Sequence, residues 1–217
     1  MSITVELAQL RQEYSKHELD ENVIHVNPLE QFKLWISEAL NAQVIEPNAF
    51  ILSTIGEDGF PAARVMLLKE VDTSGFVFYT NYTSSKGKDI QNNPVGSMTF
   101  LWLELQRQVR IKGRFEKVSR QQSLEYFQSR PFDSQIGAWV SPQSSVIQNR
   151  AVLDQEFEQL KKKYKGEDKL PLPDHWGGYK LIPVEVEFWQ GRMGRLHDRI
   201  RYHNVGEGVW TKQRLAP

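Results

Sequence analysis

The spacing of apolar residues along the chain changes near residue 49, and the change divides it into two kinds of pattern. Before it, Leu29, Phe32, Trp35, Ile36, Ala39 and Leu40 recur at a helical period. Asn27-Pro28 supplies a start signal, so the spacing predicts a helix with this stripe in the core. After it come short apolar runs broken by turn residues. Residues 50–55, 62–71 and 76–80 are predicted strands, joined by the turns Gly56-Glu57-Asp58-Gly59 and Asp72-Thr73-Ser74-Gly75, which makes an antiparallel meander. A brief helix from Ser84-Ser85-Lys86 stops at Asn92-Asn93-Pro94, and two longer strands follow over 95–103 and 108–118.

In the second half, Ser119 followed by Gln122 is a capping-box start, so a helix is predicted from Arg120 into Ser129, where Pro131 interrupts it and a second helix restarts. A polar loop over 141–145 precedes a helix over 146–164, with Leu153, Phe157, Leu160 and Tyr164 as its apolar stripe. Lys161-Lys162-Lys163 complements the dipole at its end and reads as a solvated terminus. A Pro-rich loop over 170–178 leads to strands over 184–190, 196–203 and 209–215, the last two joined around Gly206-Glu207-Gly208. The amino-terminal stretch is weaker: residues 3–14 fit a short amphipathic helix with Arg11 and Tyr14 on one face. Residues 15–26 are polar and mixed, so residues 1–26 are expected to form an arm that is mobile or draped over the body. Seven or eight short antiparallel strands with helices before and between them predict a six- to eight-stranded barrel flanked by helices, as a single domain over 1–217.

Composition narrows the function classes. The 217 residues carry 27 basic and 27 acidic side chains and no Cys. Net neutrality gives no global field for nucleic acid or an anionic membrane, so an anion site must be a local cluster of basic groups. Without Cys there are no disulfides, thiolate nucleophiles or Cys-ligated metal. The amino terminus lacks the features of a signal peptide, and no run of about 18 apolar residues occurs, so the expected location is cytoplasmic. Gly-x-Gly-x-x-Gly, Walker, His-Glu-x-x-His and Gly-x-Ser-x-Gly motifs are all missing.

Five segments gather basic, amide and hydroxyl groups outside the expected core. Around Arg130, the residue before Pro131 is pushed toward extended geometry with its side chain free to turn inward. Tyr126 and Ser134 flank it, and together with free helix amides they suit a phosphate; the alternative is an Arg130 paired with Asp133 or Glu125. In the strand from Arg64 to Lys69, the two cations fall on opposite faces if the strand is regular. Tyr79-Thr80 feed the helix start at Ser84-Ser85-Lys86, Gln108 opens a strand, and Gln143-Ser144 follow the central helices. Near the end, alternation puts Arg195, His197 and Arg199 on one strand face beside Trp189. Either a ligand or neutralisation by Asp198 and the flanking Glu residues accounts for that charge.

Together these segments resemble the pyridoxamine 5'-phosphate oxidase family. The match includes the run from Arg64 to Lys69, Phe78-Tyr79-Thr80-Asn81, Arg107-Gln108-Val109, Tyr126 with Ser129-Arg130-Pro131, and Ser134-Gln135-Ile136-Gly137-Ala138-Trp139. It continues through Gln143-Ser144-Ser145, Phe188-Trp189-Gln190-Gly191, Arg195-Leu196-His197-Asp198-Arg199 and Arg214-Leu215-Ala216-Pro217. The resemblance implies a split β-barrel homodimer with FMN at each subunit interface. It implies oxidation of pyridoxamine or pyridoxine 5'-phosphate to pyridoxal 5'-phosphate with oxygen as acceptor, with no role for metal, nucleic acid or membrane. Carried across by position, FMN contacts fall on Arg64, Val65, Lys69, Tyr79, Thr80, Lys86, Gln108, Gln143, Ser144, Trp189 and Arg199. Substrate contacts fall on Lys69, Tyr126, Arg130, Ser134, Arg195, Leu196 and His197, with Arg11 and Tyr14 as a lid. Arg195 and His197 are the candidates for holding the substrate's ring and reacting group. Ser85 stands where the family often has Arg, which removes one possible phosphate contact. Alternatives on the same barrel are a non-catalytic carrier of FMN or pyridoxal phosphate and a flavin reductase.

Overall fold

A computed structural model describes residues 13–206 and 208–217. Arg11 and most of the predicted 3–14 helix lie outside the described residues; Glu13 and Tyr14 are irregular. In chain order the elements are α1 (Pro28–Asn41), β1 (Ala49–Ile55), β2 (Pro61–Leu67), β3 (Glu70–Val71), β4 (Phe76–Asn81), α2 (Ser85–Asn92), β5 (Val95–Trp102), β6 (Arg107–Lys117), α3 (Arg120–Ser129), α4 (Phe132–Val140), α5 (Arg150–Lys163), β7 (Trp176–Gln190), β8 (Asp198–Gly206) and β9 (Val209–Arg214). Short 3-10 turns occupy Leu103–Leu105 and Met193–Arg195. The strands hydrogen-bond in the order β2-β1-β5-β6-β7-β4-β3, with β8 on β7 and β9 on β8. Nine strands are therefore present among the described residues, against the expected six to eight, because two-residue β3 separates from β2. The fold is mainly antiparallel β with five flanking helices, the class expected from the pattern.

The chain packs as two compact units. One comprises the described residues up to Phe50 with Met98–Ile111 and Val184–Pro217. Here the Asn27 side chain accepts from the Leu29 amide at 2.8 Å, starting α1. Leu29, Phe32, Trp35 and Ala39 are buried, while Leu40 at the end of the predicted stripe is 61 % exposed. Phe32 meets Phe100 at 4.8 Å and Trp35 meets Phe188 at 5.1 Å; each fully buried side chain of this size contributes about 1.5–3 kcal/mol. The chain before α1 lies over this unit. Leu19 and Ile24 are buried, Tyr202 Oη donates to the His25 carbonyl at 2.6 Å, and Arg214 Nη2 donates to the Leu19 carbonyl at 2.9 Å.

The other unit comprises Ile51–Ser97 and Lys112–Pro183. Helix α3 begins where the capping signal put it: Ser119 Oγ accepts from the Gln122 amide at 3.0 Å. Only half of the capping box forms, since the Gln122 side chain donates to Glu70 at 2.9 Å instead. Three boundaries differ from expectation. The 62–71 strand breaks after Leu67, so Arg64 and Lys69 do not sit on one regular strand. Helix α5 starts at Arg150 instead of 146, leaving Val146 fully exposed. Strand β7 starts at Trp176, inside the stretch read as loop, pairing Tyr79 with Gly178 and Thr80 with Gly177. Gly177 is required by contact, because a Cβ there would fall 2.2 Å from the Tyr82 hydroxyl.

Candidate active site

In the second unit, α3, α4, β4 and the start of β7 surround a cavity of ≈710 Å³. Its lining includes Val65, Lys69, Tyr79, Thr80, Tyr126, Arg130, Ser134 and Gln143, eight of the predicted contacts, together with Trp176. The rings of Tyr79 and Tyr126 stack at 3.9 Å, and Trp176 lies nearly parallel to both, 5.6 Å from Tyr79 and 6.2 Å from Tyr126. Burial pushes the Tyr79 phenol up to about 12, and the nearby Glu70 adds to the effect, so it is a neutral donor throughout the physiological range.

Arg130 caps the end of α3 with extended backbone, φ −76° and ψ 151°, as Pro131 requires. Its guanidinium stands 4.8 Å from the Trp176 ring, and Nη1 is buried without a hydrogen-bond partner. The carboxylates that offered the alternative explanation are engaged elsewhere, Asp133 with Lys161 at 2.9 Å and Glu125 with Gln121 at 2.7 Å. Burial lowers the Arg130 pKa, an effect the Tyr126 hydroxyl opposes. Gln135, fully buried, donates to the Arg130 carbonyl at 2.9 Å and accepts from the Leu170 amide at 2.9 Å, which fixes the α3–α4 corner. Such a corner presents an inward guanidinium with a spare donor, a geometry suited to an anion.

A second cationic group adjoins through Gln143. Its Oε1 accepts from Lys86 Nζ at 3.2 Å and from Thr80 Oγ1 at 3.4 Å. Ser84 caps α2 and accepts from Lys86 Nζ at 3.5 Å. Arg64 donates to Thr54 Oγ1 at 2.7 Å, and Thr54 donates to Asp89 at 2.7 Å. Burial lowers the Lys86 ammonium pKa, and Arg64 lowers it further against the pull of Asp89. Ser144 adopts φ 71° in the exposed loop that follows, and Ser85 is exposed at the first turn of α2.

In the first unit, Tyr14, Trp189 and His197 form an aromatic group, with His197 4.7 Å from Trp189, and Tyr14 5.9 Å from Trp189 and 5.7 Å from His197. The expectation that Arg195, His197 and Arg199 alternate on a strand face is wrong. Strand β8 begins only at Asp198; Arg195 ends a 3-10 turn with φ 62°, and Leu196 is 74 % exposed. Gly194 in the preceding turn, at φ 64°, was the available signal that the backbone leaves the strand there. The His197 Nδ1 accepts from the Arg192 amide at 3.1 Å. Burial and the neighbouring Arg195 lower its pKa, while Asp198 opposes them. Neutralisation does apply to Arg199, which donates twice to the buried carboxylate of Glu187, at 3.0 and 3.2 Å. Gln108 is half-buried on β6.

Sequence reasoning missed Trp176, Gln135 and Asp89. Trp176 was hidden in a Pro- and Gly-rich stretch, and the other two act by holding neighbouring groups, for which no local motif exists.

Comparison with known proteins accords with this geometry. Residues 36–164 match the family described as pyridoxamine 5'-phosphate oxidase, and residues 176–217 match the pyridoxine 5'-phosphate oxidase C-terminal dimerisation region. The chain is 51 % identical over 212 residues to the pyridoxine/pyridoxamine 5'-phosphate oxidase of Salinibacter ruber, covering 97 % of this chain and 99 % of that one. It is 50 % identical over 215 residues to pyridoxine/pyridoxamine 5'-phosphate oxidase 2 of Hydrogenovibrio crunogenus, covering 99 % and 100 %. Among solved structures, PhzG of Burkholderia lata in complex with tetrahydrophenazine-1-carboxylic acid superposes with a TM-score of 0.88 at 29 % identity, over 94 % of this chain and all of that one. No helix among the described residues is long and apolar enough to cross a membrane. The chain is a split-barrel oxidoreductase that belongs to the pyridoxine/pyridoxamine 5'-phosphate oxidase family.

Proposed function

We propose that the protein oxidises pyridoxamine 5'-phosphate or pyridoxine 5'-phosphate to pyridoxal 5'-phosphate, with FMN as cofactor and oxygen reduced to hydrogen peroxide, in vitamin B6 synthesis and salvage. The observation that carries this reading is the buried, unpartnered Nη1 of Arg130 beside a cavity that also holds Lys69, Tyr126 and Ser134. A substrate phosphate there completes the guanidinium's bonding. The second group, Arg64 and Lys86 with Gln143 and Thr80, fits the FMN phosphate. Burial and the neighbouring Arg64 lower the proton affinity of Lys86, and a bound anion relieves that. Two separate cationic groups match a reaction with two phosphorylated participants.

FMN, when bound, supplies the hydride acceptor and the route of electrons to oxygen. The protein's part is to bind, orient and exclude water. Val65, Lys69, Tyr79, Gln108, Ser144, Trp189 and Arg199 are assigned to the cofactor with the phosphate group just named, and Arg199 takes that role already held by Glu187. Arg195, Leu196, His197 and Tyr14 are assigned to the substrate. Because the His197 Nδ1 accepts from a backbone amide and its pKa is lowered, the imidazole is neutral near pH 7 with its proton on Nε2. It therefore donates a hydrogen bond to the substrate and is not the base that removes its proton. The match of residues 176–217 to a dimerisation region supports a homodimer, with FMN at the subunit interface.

An aerobic assay with added FMN and pyridoxamine 5'-phosphate tests this. The expected result is aldehyde and peroxide appearing in equal amounts. A yellow protein that turns over neither vitamer would make it a carrier, and NADH consumption without vitamer turnover would make it a reductase.

A further inference from the structure

Gln106 closes the Leu103–Leu105 turn in the left-handed conformation, φ 55° and ψ 42°, which aims its main chain and side chain at different parts of the first unit. The main-chain carbonyl accepts from the Gly191 amide at 2.8 Å and from Gln190 Nε2 at 3.2 Å. Gln190 in turn accepts from Arg107 Nε at 2.9 Å. The Arg107 guanidinium is paired with Glu38 and lies 4.4 Å from the Trp35 ring, so the turn is tied to the core. The Gln106 side chain reaches the chain before α1. Its Oε1 accepts from two consecutive amides, Ser15 at 3.0 Å and Lys16 at 3.3 Å, and Lys16 Nζ reinforces the same junction by donating to the Glu104 carbonyl at 2.7 Å. These two residues directly follow Tyr14. The seat for Tyr14 is Gly191, where an added Cβ would stand 2.8 Å from Tyr14 Cβ and Cγ.

The geometry points to Gln106 as a positioning residue that clasps the Ser15 and Lys16 amides and thereby holds the Tyr14 ring against Trp189 and His197 in the substrate-bound enzyme. The inference rests on the reading of Tyr14 and His197 as substrate contacts. One carboxamide oxygen serving two adjacent N–H groups is what anchors an otherwise irregular segment. A carboxylate at the same reach serves equally well as acceptor, whereas a side chain one methylene shorter does not arrive. Asn nevertheless tolerates the left-handed backbone, so Gln106→Asn removes the clasp and keeps the turn.

The test uses the full-length protein with FMN and compares Gln106→Ala, Gln106→Asn, Gln106→Glu and Tyr14→Ala by hydrogen exchange of residues 13–18 and by KM and kcat for pyridoxamine 5'-phosphate. In the Ala and Asn variants of Gln106, exchange at Ser15 and Lys16 is expected to rise about tenfold, the worth of one to two neutral hydrogen bonds. KM is expected to rise as far as in Tyr14→Ala with a smaller change in kcat, and Gln106→Glu is expected to restore both. Unchanged exchange in the Ala and Asn variants overturns the inference. So does faster exchange with an unmoved KM while Tyr14→Ala raises KM. If Tyr14→Ala also leaves KM unmoved, the assignment of Tyr14 to the substrate fails and takes this inference with it; turnover of the unsubstituted protein tests the oxidase reading separately.

Discussion

Replacing Arg130 by Met should move stability and substrate binding in opposite directions. In the protein without ligand, Nη1 of the half-buried Arg130 is itself buried and has no partner, and no carboxylate among the described residues is paired with the guanidinium. An unsatisfied buried donor costs about 1–3 kcal/mol, and the Trp176 face 4.8 Å away returns about 0.5–2 kcal/mol as a cation–π contact. Methionine fills much the same space with neither effect, so the ligand-free variant should be more stable by about 1 kcal/mol, or roughly 2–4 °C in Tm for a chain of this size. With substrate the balance reverses. Two charge-assisted bonds to a phosphate are worth about 3 kcal/mol or more, which at 1.4 kcal/mol per decade is a KM increase of roughly 100-fold. Thermal unfolding without ligand measures the first quantity. The ratio of kcat/KM for pyridoxamine 5'-phosphate to that for unphosphorylated pyridoxamine measures the second, and it should collapse in the variant. Equal losses on both vitamers, or a ligand-free variant less stable than the parent, would refute the reasoning. Arg130→Lys keeps the charge without the planar fork and should fall between.

Lys86→Met should weaken FMN binding about 10- to 100-fold, the worth of one charge-assisted contact, as read by quenching of flavin fluorescence on titration. Trp176→Leu removes the ring behind Arg130 and should raise KM for the phosphorylated substrate by about 3- to 30-fold, given about 0.5–2 kcal/mol for the contact, with FMN affinity nearly unchanged in the same titration. The Asp72 carboxyl, which burial alone would raise, is held at about 2 by hydrogen bonds from Lys180, from Ser74 and from the Gly75 amide, below its ordinary 3.8. Because the folded-state pKa is the lower one, this contribution to stability is complete above about pH 4 and is lost as pH falls toward 2. Asp72→Asn should therefore flatten that part of the pH dependence in urea unfolding.

What was legible in the sequence were features whose cause is local. Ser119, Gln122 and Pro131 place both ends of α3 and the extended Arg130, since capping and the steric demand of proline act within a few residues. The α1 stripe held at Leu29, Phe32, Trp35 and Ala39, but Ile36 is only half-buried, and at Leu40 the helix has turned its last apolar position to solvent. Boundaries failed where tertiary contact overrides local preference. Trp176-Gly177-Gly178 reads as loop, yet the glycines are there because Tyr82 and Val118 approach β7 too closely for side chains. The Arg195 to Arg199 segment reads as strand by alternation, and Gly194 and Arg195 at positive φ break it. That Lys69, Tyr126, Arg130 and Ser134 would come together was legible, and neutralisation of Arg199 by a flanking Glu was one of the two readings open there, but that Asp133 turns to Lys161 depends on a pairing 28 residues apart in sequence.

The most direct test of the central claim is anaerobic mixing of the FMN-loaded protein with pyridoxamine 5'-phosphate while the flavin's visible absorbance is followed. The account predicts that the substrate bleaches the flavin, that admitting oxygen restores the colour with release of peroxide, and that Arg130→Met needs far more substrate for the same bleaching. A flavin that stays oxidised in the presence of saturating pyridoxamine 5'-phosphate and pyridoxine 5'-phosphate would contradict it.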